Sequence, residues 1–162
     1  PSPPAAHAPV DEAVRVYRSL LWTSRRLRRG LAGLFDSYGL TGSQYALLTR
    51  IPPEGITLTQ LAETAWVDPG NTSGIVERLV RDGWVNRTRS EEDRRVVIIT
   101  LSEKGLRVLA EIEPAYRAAV AELMSGLSPE EAAELGRLLE KINRRLSLRD
   151  APQSPVEGAA RR

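Results

Sequence analysis

The chain has no cysteine, which excludes disulfides, thiolate metal sites and cysteine-based redox sensing. Its single histidine, His7, sits in a Pro/Ala-rich stretch, so histidine metal sites and Ser-His-Asp catalysis fail on inventory. No apolar run approaches the roughly 20 residues needed to cross a bilayer. No charged-then-apolar segment opens the sequence either, and the expectation is a cytoplasmic protein without a membrane partner. Gly-rich phosphate cradles are missing. The adjacent carboxylates Glu91–Glu92 and Glu130–Glu131 fall at a turn and a helix start, not in a cleft. The chain is therefore not expected to be an enzyme, and no cofactor or metal is implied.

What is present is ordinary in amount: 162 residues, 41% hydrophobic and 27% charged, enough for one domain with a real core. The net charge of +2 is too small to announce a nucleic-acid partner. The kind of charge is more telling. Lys104 and Lys141 are the only lysines among 23 basic residues, and the rest are arginine. Arginine is the better residue for bidentate phosphate and base contacts, although a GC-rich coding genome produces the same bias.

The pattern along the chain reads as helix, helix, helix, helix, strand, strand, helix, helix: mainly α with a small β wing. A first helix over about Asp11 to Tyr38 carries apolar residues at three- and four-residue steps (Val14, Tyr17, Leu21, Leu31, Phe35). Thr41–Gln44 and Thr57–Gln60 both have the capping-box form, opening short helices over about 42–50 and 58–65. Asp68 and Pro69 form a third start, for a helix running to about Asp82 and stopping at Gly83. Segments 84–89 and 96–101 read as strands, joined by the polar hairpin tip Ser90–Arg95. Ser102 then caps a helix over about 103–125, and Ser128–Glu131 opens a last one with Leu135, Leu138, Leu139, Ile142 and Leu146 on its inward stripe.

Two short helices and a charged hairpin make a winged helix-turn-helix. In that unit the first short helix braces the second, whose N-terminal half enters the major groove of double-stranded DNA. Leu61, Ala62 and Ala65 are expected to pack on Ile75, Val76 and Leu79. That leaves Pro69 at the helix start and Gly70, Asn71, Ser73, Gly74 and Arg78 on the outer face. Asn71 can read adenine, Ser73 can bond a base or phosphate, and Arg78 can hold phosphate. Gly70-Asn-Thr-Ser-Gly74 is a poor helix interior under selection for stability alone, which argues for a reading role. Arg94 and Arg95 on a narrow turn suit the minor groove, and Asp93 is expected to set the shape of the tip. Residues 68–95 hold six arginines and six acids, so placement and not total charge must make the binding face.

In the ordered set Leu58–Ala65, Pro69–Leu79, Gly83–Arg87, Asp93–Arg95 and Ile98–Gly105, the chain resembles the MarR family of winged-helix transcription regulators, over about Asp11 to Leu146. The resemblance implies a homodimer with interlocked first and last two helices. It puts Arg95 on the minor-groove arginine, Asp93 on its partner, and Arg87 on a basic strand position tied to wing placement or phosphate. It divides the chain into an arm (1–9), a helical dimerisation region (10–40 and 102–148), a DNA-binding domain (41–101) and a tail (149–162). The chain departs from the family at Trp84, where an aliphatic residue is usual, and at Ser102, where threonine is usual. Without cysteine, a His/acid cluster or an acid at Ala46, the peroxide-, zinc- and urate-responsive branches do not apply.

By family habit the protein is a repressor on a pseudo-palindromic operator, released by a small, often aromatic or anionic, effector. Residues weighed for effector contact are Trp22, Arg25 or Arg26, Tyr38 and Tyr45. Trp22 can line a pocket, fill the dimer interface or sit half exposed, and core packing is the ordinary role of all three aromatics. The alternative is a winged-helix module acting through protein–protein contacts without an effector.

Overall fold

A helix begins at Val10 because the residues from there on repeat an apolar stripe, and it runs unbroken for 28 residues as α1 (Val10–Ser37). The computed structural model describes residues 9–64, 69–90 and 93–150. The expected Asp68 cap, the Ala65 contact, Glu91, Glu92, and the arm and tail up to Ala8 and from Ala151 lie outside them. The other elements are α2 (Gly42–Leu48), β1 (Ile56–Thr57), α3 (Leu58–Thr64), α4 (Pro69–Arg81), β2 (Val85–Arg89), β3 (Val97–Leu101), α5 (Glu103–Leu123) and α6 (Pro129–Asp150). Among the described residues no helix is long and apolar enough to cross a membrane.

The helix starts are local chemistry. Thr41 Oγ1 accepts from the Gln44 amide at 3.2 Å while the Thr41 amide donates to Gln44 Oε1 at 2.8 Å. Thr57 and Gln60 repeat the exchange at the start of α3, and Ser128 and Glu131 at the start of α6. Each box satisfies two amides that the first helical turn leaves open. Gly83 ends α4 at φ 76°, and its amide donates to the Val80 carbonyl.

One element escapes the sequence pattern. Ile56–Thr57 forms a third strand, pairing antiparallel with β3 so that the sheet order is β1-β3-β2. A two-residue strand has no alternation to detect; pairing of Ile56 with Ile99 creates it. β2 and β3 form the expected hairpin, with Arg87 opposite Ile99 and Arg89 opposite Val97.

The chain divides into two units, residues 1–123 and 124–162. The core of the first gathers Leu47, Leu48, Leu61, Ile75, Val76, Leu79, Val85, Ile99 and Ile112. It therefore lies beneath α4 and the wing and holds both from behind. The stripe on α1 behaves differently along its length. Phe35 is buried, but Val10, Tyr17, Leu21 and Trp22 remain largely exposed. On α6, Leu138, Ile142 and Leu146 are also exposed, although the sequence pattern set them inward. Among the described residues these side chains stay exposed.

Candidate nucleic-acid interface

α4 is anchored by one face and offers the other. Ile75, Val76 and Leu79 are buried, with Leu61 of α3 sealed beneath them, as the spacing predicted. Thr72 is fully buried between Asn71 and Ser73, which are both exposed. Burying a β-branched residue inside this polar run fixes the rotation of the helix about its axis. Asn71 and Arg78 converge over Gly74: a Cβ built there would lie 3.9 Å from Asn71 Oδ1 and 3.8 Å from Arg78 Nη1. The outward face therefore carries an amide, a hydroxyl and a guanidinium around a site with no side chain. Pro69 and Gly70 open the same helix.

The wing presents its charge at the far end of β2 and β3. Val85 is buried at the root, while Arg87 and Arg89 are exposed along β2. At the tip the Ser90 amide donates to the Val96 carbonyl, and the Val96 amide to the Asp93 carbonyl, each at 2.9 Å. Asp93 shapes the turn, though among the described residues it pairs with no guanidinium. Its Oδ1 accepts from the Arg95 backbone amide at 2.9 Å. That bond sets the backbone and leaves the Arg94 and Arg95 side chains exposed.

Among the described residues, ion pairs engage Arg15, Arg81, Arg107, Arg117 and Arg137. None of these pairs involves Arg78, Arg87, Arg94 or Arg95. Arg78 on α4 and Arg87, Arg94 and Arg95 on the wing are thus exposed guanidiniums with no ion pair among the described residues.

The residues weighed for effector contact do not share one hollow. Trp22 and Arg26 stack on each other, guanidinium carbon 4.6 Å from the ring centroid, beside a hollow of about 530 Å³ that Leu123 closes. Tyr38 lies in a separate hollow of about 300 Å³ with Trp84 and Lys104, and its hydroxyl donates to the Glu111 carbonyl. Tyr45 belongs to a third, of about 520 Å³, between α1, α2 and α5. Its wall is aromatic: Phe35 and Tyr45 stack at 4.8 Å, and Tyr116 lies 5.0 Å from Tyr45. Arg28 and Arg50 line it as well. Sequence reasoning missed Phe35, Tyr116, Arg28 and Arg50 here. Arg28 and Phe35, seven apart on one helix face, were the available signal.

Burial, and the negative charge of Glu113 beside it, push the Tyr45 phenol up from 10.0 to about 12. The folded state therefore favours the neutral phenol. Its contribution to stability is complete below the ordinary value and is lost as pH climbs through the raised one. In an ultraviolet titration of the four tyrosines, one is expected to ionise late, and Tyr45→Phe should remove that late step. Four tyrosines titrating together would show that Tyr45 is not sealed from solvent.

The comparisons agree with this geometry. Residues 40–97 match the model described as MarR family. The HTH-type transcriptional regulator MgrA of Staphylococcus aureus is 31% identical over 110 residues, covering 67% of this chain and 74% of that protein. The HTH-type transcriptional regulator YkoM of Bacillus subtilis is 27% identical over 82% of this chain and 86% of its own. A MarR mutant from E. coli, solved in complex with operator DNA, superposes with a TM-score of 0.75 at 25% identity, covering 84% of this chain and 99% of that one. The chain belongs to the MarR family of transcriptional regulators, which are not enzymes.

Proposed function

We propose that this regulator binds a pseudo-palindromic operator as a homodimer and represses transcription in the cytoplasm until a small aromatic or anionic molecule lowers its affinity for DNA. The observation that carries the DNA reading is the set of exposed guanidiniums, Arg78 beside the Asn71 amide on α4 and Arg87, Arg94 and Arg95 on the wing. The operator-bound relative from E. coli supports the same docking by shared fold. Residues 41–101 act as the reading head. Residues 10–40 and 102–148 pair the chains, and the exposed apolar faces of α1 and α6 support that pairing. Two heads then sit about one DNA turn apart, roughly 34–36 Å. The hollow between α1, α2 and α5 suits a flat anion, with aromatic walls for its ring and Arg28 and Arg50 for its charge. Such a molecule acts only through different affinities for DNA-competent and incompetent arrangements of the heads.

Selection of bound sequences from random duplex DNA tests the reading. An inverted repeat, bound with steep salt dependence, is the expected result. Binding with no sequence preference and no salt slope would favour a protein-binding winged helix instead. Within the selected sequence, Asn71→Ala is expected to relax preference at one position of each half-site. Discrimination against the wrong base there should fall by about 1–3 kcal/mol. Competition with duplexes changed one base at a time measures it. Unchanged selectivity at every position would remove Asn71 from base reading.

A further inference from the structure

Three consecutive carbonyls follow the last turn of α4, at Asp82, Gly83 and Trp84, and all three are held by the first residues of α5 and its cap. Lys104 Nζ donates to the Asp82 carbonyl at 2.7 Å. The Ser102 hydroxyl lies 2.7 Å from the Gly83 carbonyl and 3.0 Å from that of Trp84. A hydroxyl has one proton, so it goes to the nearer Gly83 oxygen, and the Ser102 amide serves Trp84 at 3.1 Å. The Ser102 oxygen in turn accepts from the Gly105 amide at 3.0 Å. The Lys104 ammonium also stands 3.7 Å from the centroid of the Trp84 ring.

This cluster joins three parts that have to move together. It lies at the end of α4, at the root of β2, and at the start of α5, which leads away from the head. The Ser102 bonds tie the cap of α5 to the Gly83 and Trp84 backbone, and the Lys104 ammonium adds the Asp82 carbonyl and the face of the Trp84 ring, which opposes rocking of α5 about that cap. Lysine suits the double task. Its compact ammonium, with three rotatable donors, meets a carbonyl and a ring at once, whereas a planar guanidinium aims its donors in the plane and its stacking surface across it. In a chain that otherwise uses arginine almost throughout, one of the two lysines stands here.

We infer that Lys104 is a positioning residue for DNA recognition: by clamping the Asp82 carbonyl and the Trp84 ring to α5, it fixes the angle at which α4 and the wing leave that helix, and so the spacing of half-sites that the paired heads accept. The inference rests on the twofold reading proposed above. It assigns Lys104 no contact with DNA.

Lys104→Met tests it, because methionine keeps the unbranched stem at an exposed position and removes the charge and the donors. Wild type and variant are each used to select from random duplexes with free half-site spacing. Both are then titrated with the wild-type-selected duplex across a salt series. Wild type is expected to select one spacing. The variant should spread over adjacent spacings and bind the wild-type duplex about tenfold more weakly, as two heads each correctly angled about a third as often would. Its salt slope should be unchanged. An identical spacing and affinity in the variant would overturn the inference, leaving Lys104 a surface residue. A salt slope lowered by about two, one for each chain, would also overturn it, because Lys104 would then be a phosphate contact. If wild type itself selects single half-sites with no preferred spacing, the paired reading fails first and this inference with it.

Discussion

Arg95→Ala is expected to weaken binding to every duplex, matched or not, by about 100-fold. Removing one charge-assisted hydrogen bond costs about 1.5 kcal/mol, and a twofold complex gives up two. The slope of log affinity against log salt should fall by about two, one for each guanidinium that no longer displaces counterions. The wing itself should survive. The bond that shapes its tip runs from the Arg95 backbone amide to Asp93 Oδ1, and alanine keeps that amide. The exposed Arg95 side chain makes no ion pair among the described residues, so thermal stability should not change. Sequence preference should hardly change either, since guanidinium in a minor groove responds to potential and width more than to base identity. Titration of matched and scrambled duplexes at several salt concentrations separates these terms. A weakening confined to the matched duplex would make Arg95 a base reader. Wild-type affinity on both would take the wing off the DNA altogether.

The reading head was legible because its signals are short in sequence. A capping box spans four residues, so Thr41–Gln44 and Thr57–Gln60 announce their helices without any tertiary information, and both boxes form. The outward face of α4 follows from which residues its apolar spacing buries, and Leu79, Ile75 and Val76 are buried as read. The hollows were not legible in this way. Trp22 and Tyr38 lie along α1 and its C-cap, 16 residues apart, which at 1.5 Å per residue puts them about 24 Å from each other. Only the packing of α5 and of Trp84 beside α1 decides which hollow each meets. Arg50 and Tyr116 reach the Tyr45 hollow from elements far apart in the chain. The strand at Ile56–Thr57 is similar: its existence depends on a partner more than forty residues away. The Lys104 clamp falls between the two cases. Composition flags an isolated lysine, but only folded geometry supplies the Asp82 carbonyl and the Trp84 ring.

Gly105→Ala, just beyond the head at the start of α5, should be strongly destabilising, although helix propensity argues the reverse. Alanine in a helix interior is favoured over glycine by about 1 kcal/mol. Gly105 is buried, however, and a Cβ built there would run into the Trp84 carbonyl oxygen, with the carbonyl carbon at 3.3 Å and Leu101 Cδ2 at 3.4 Å. The obstacle is backbone, which has no rotamer to change. That same oxygen accepts from the Ser102 amide and lies beside its hydroxyl. Moving it aside breaks the joint between β2 and α5, while keeping it forces α5 outward from its seat at the root of the wing. Overpacking costs about 1–3 kcal/mol, and a disturbed buried hydrogen bond adds about 1–3 more. A net destabilisation near ~3 kcal/mol is expected in urea unfolding, after the propensity gain is subtracted. Gly136→Ala supplies the contrast. It stands on α6 with nothing within 4 Å of its built Cβ, on the side that carries Glu140 and Asn143 away from the apolar stripe. There propensity alone operates, and a gain of about 0.5–1 kcal/mol is expected. If Gly105→Ala were as stable as wild type, the close seat of α5 against the root of the wing would be wrong, and the same result would remove the physical basis for any fixed angle between that helix and the reading face.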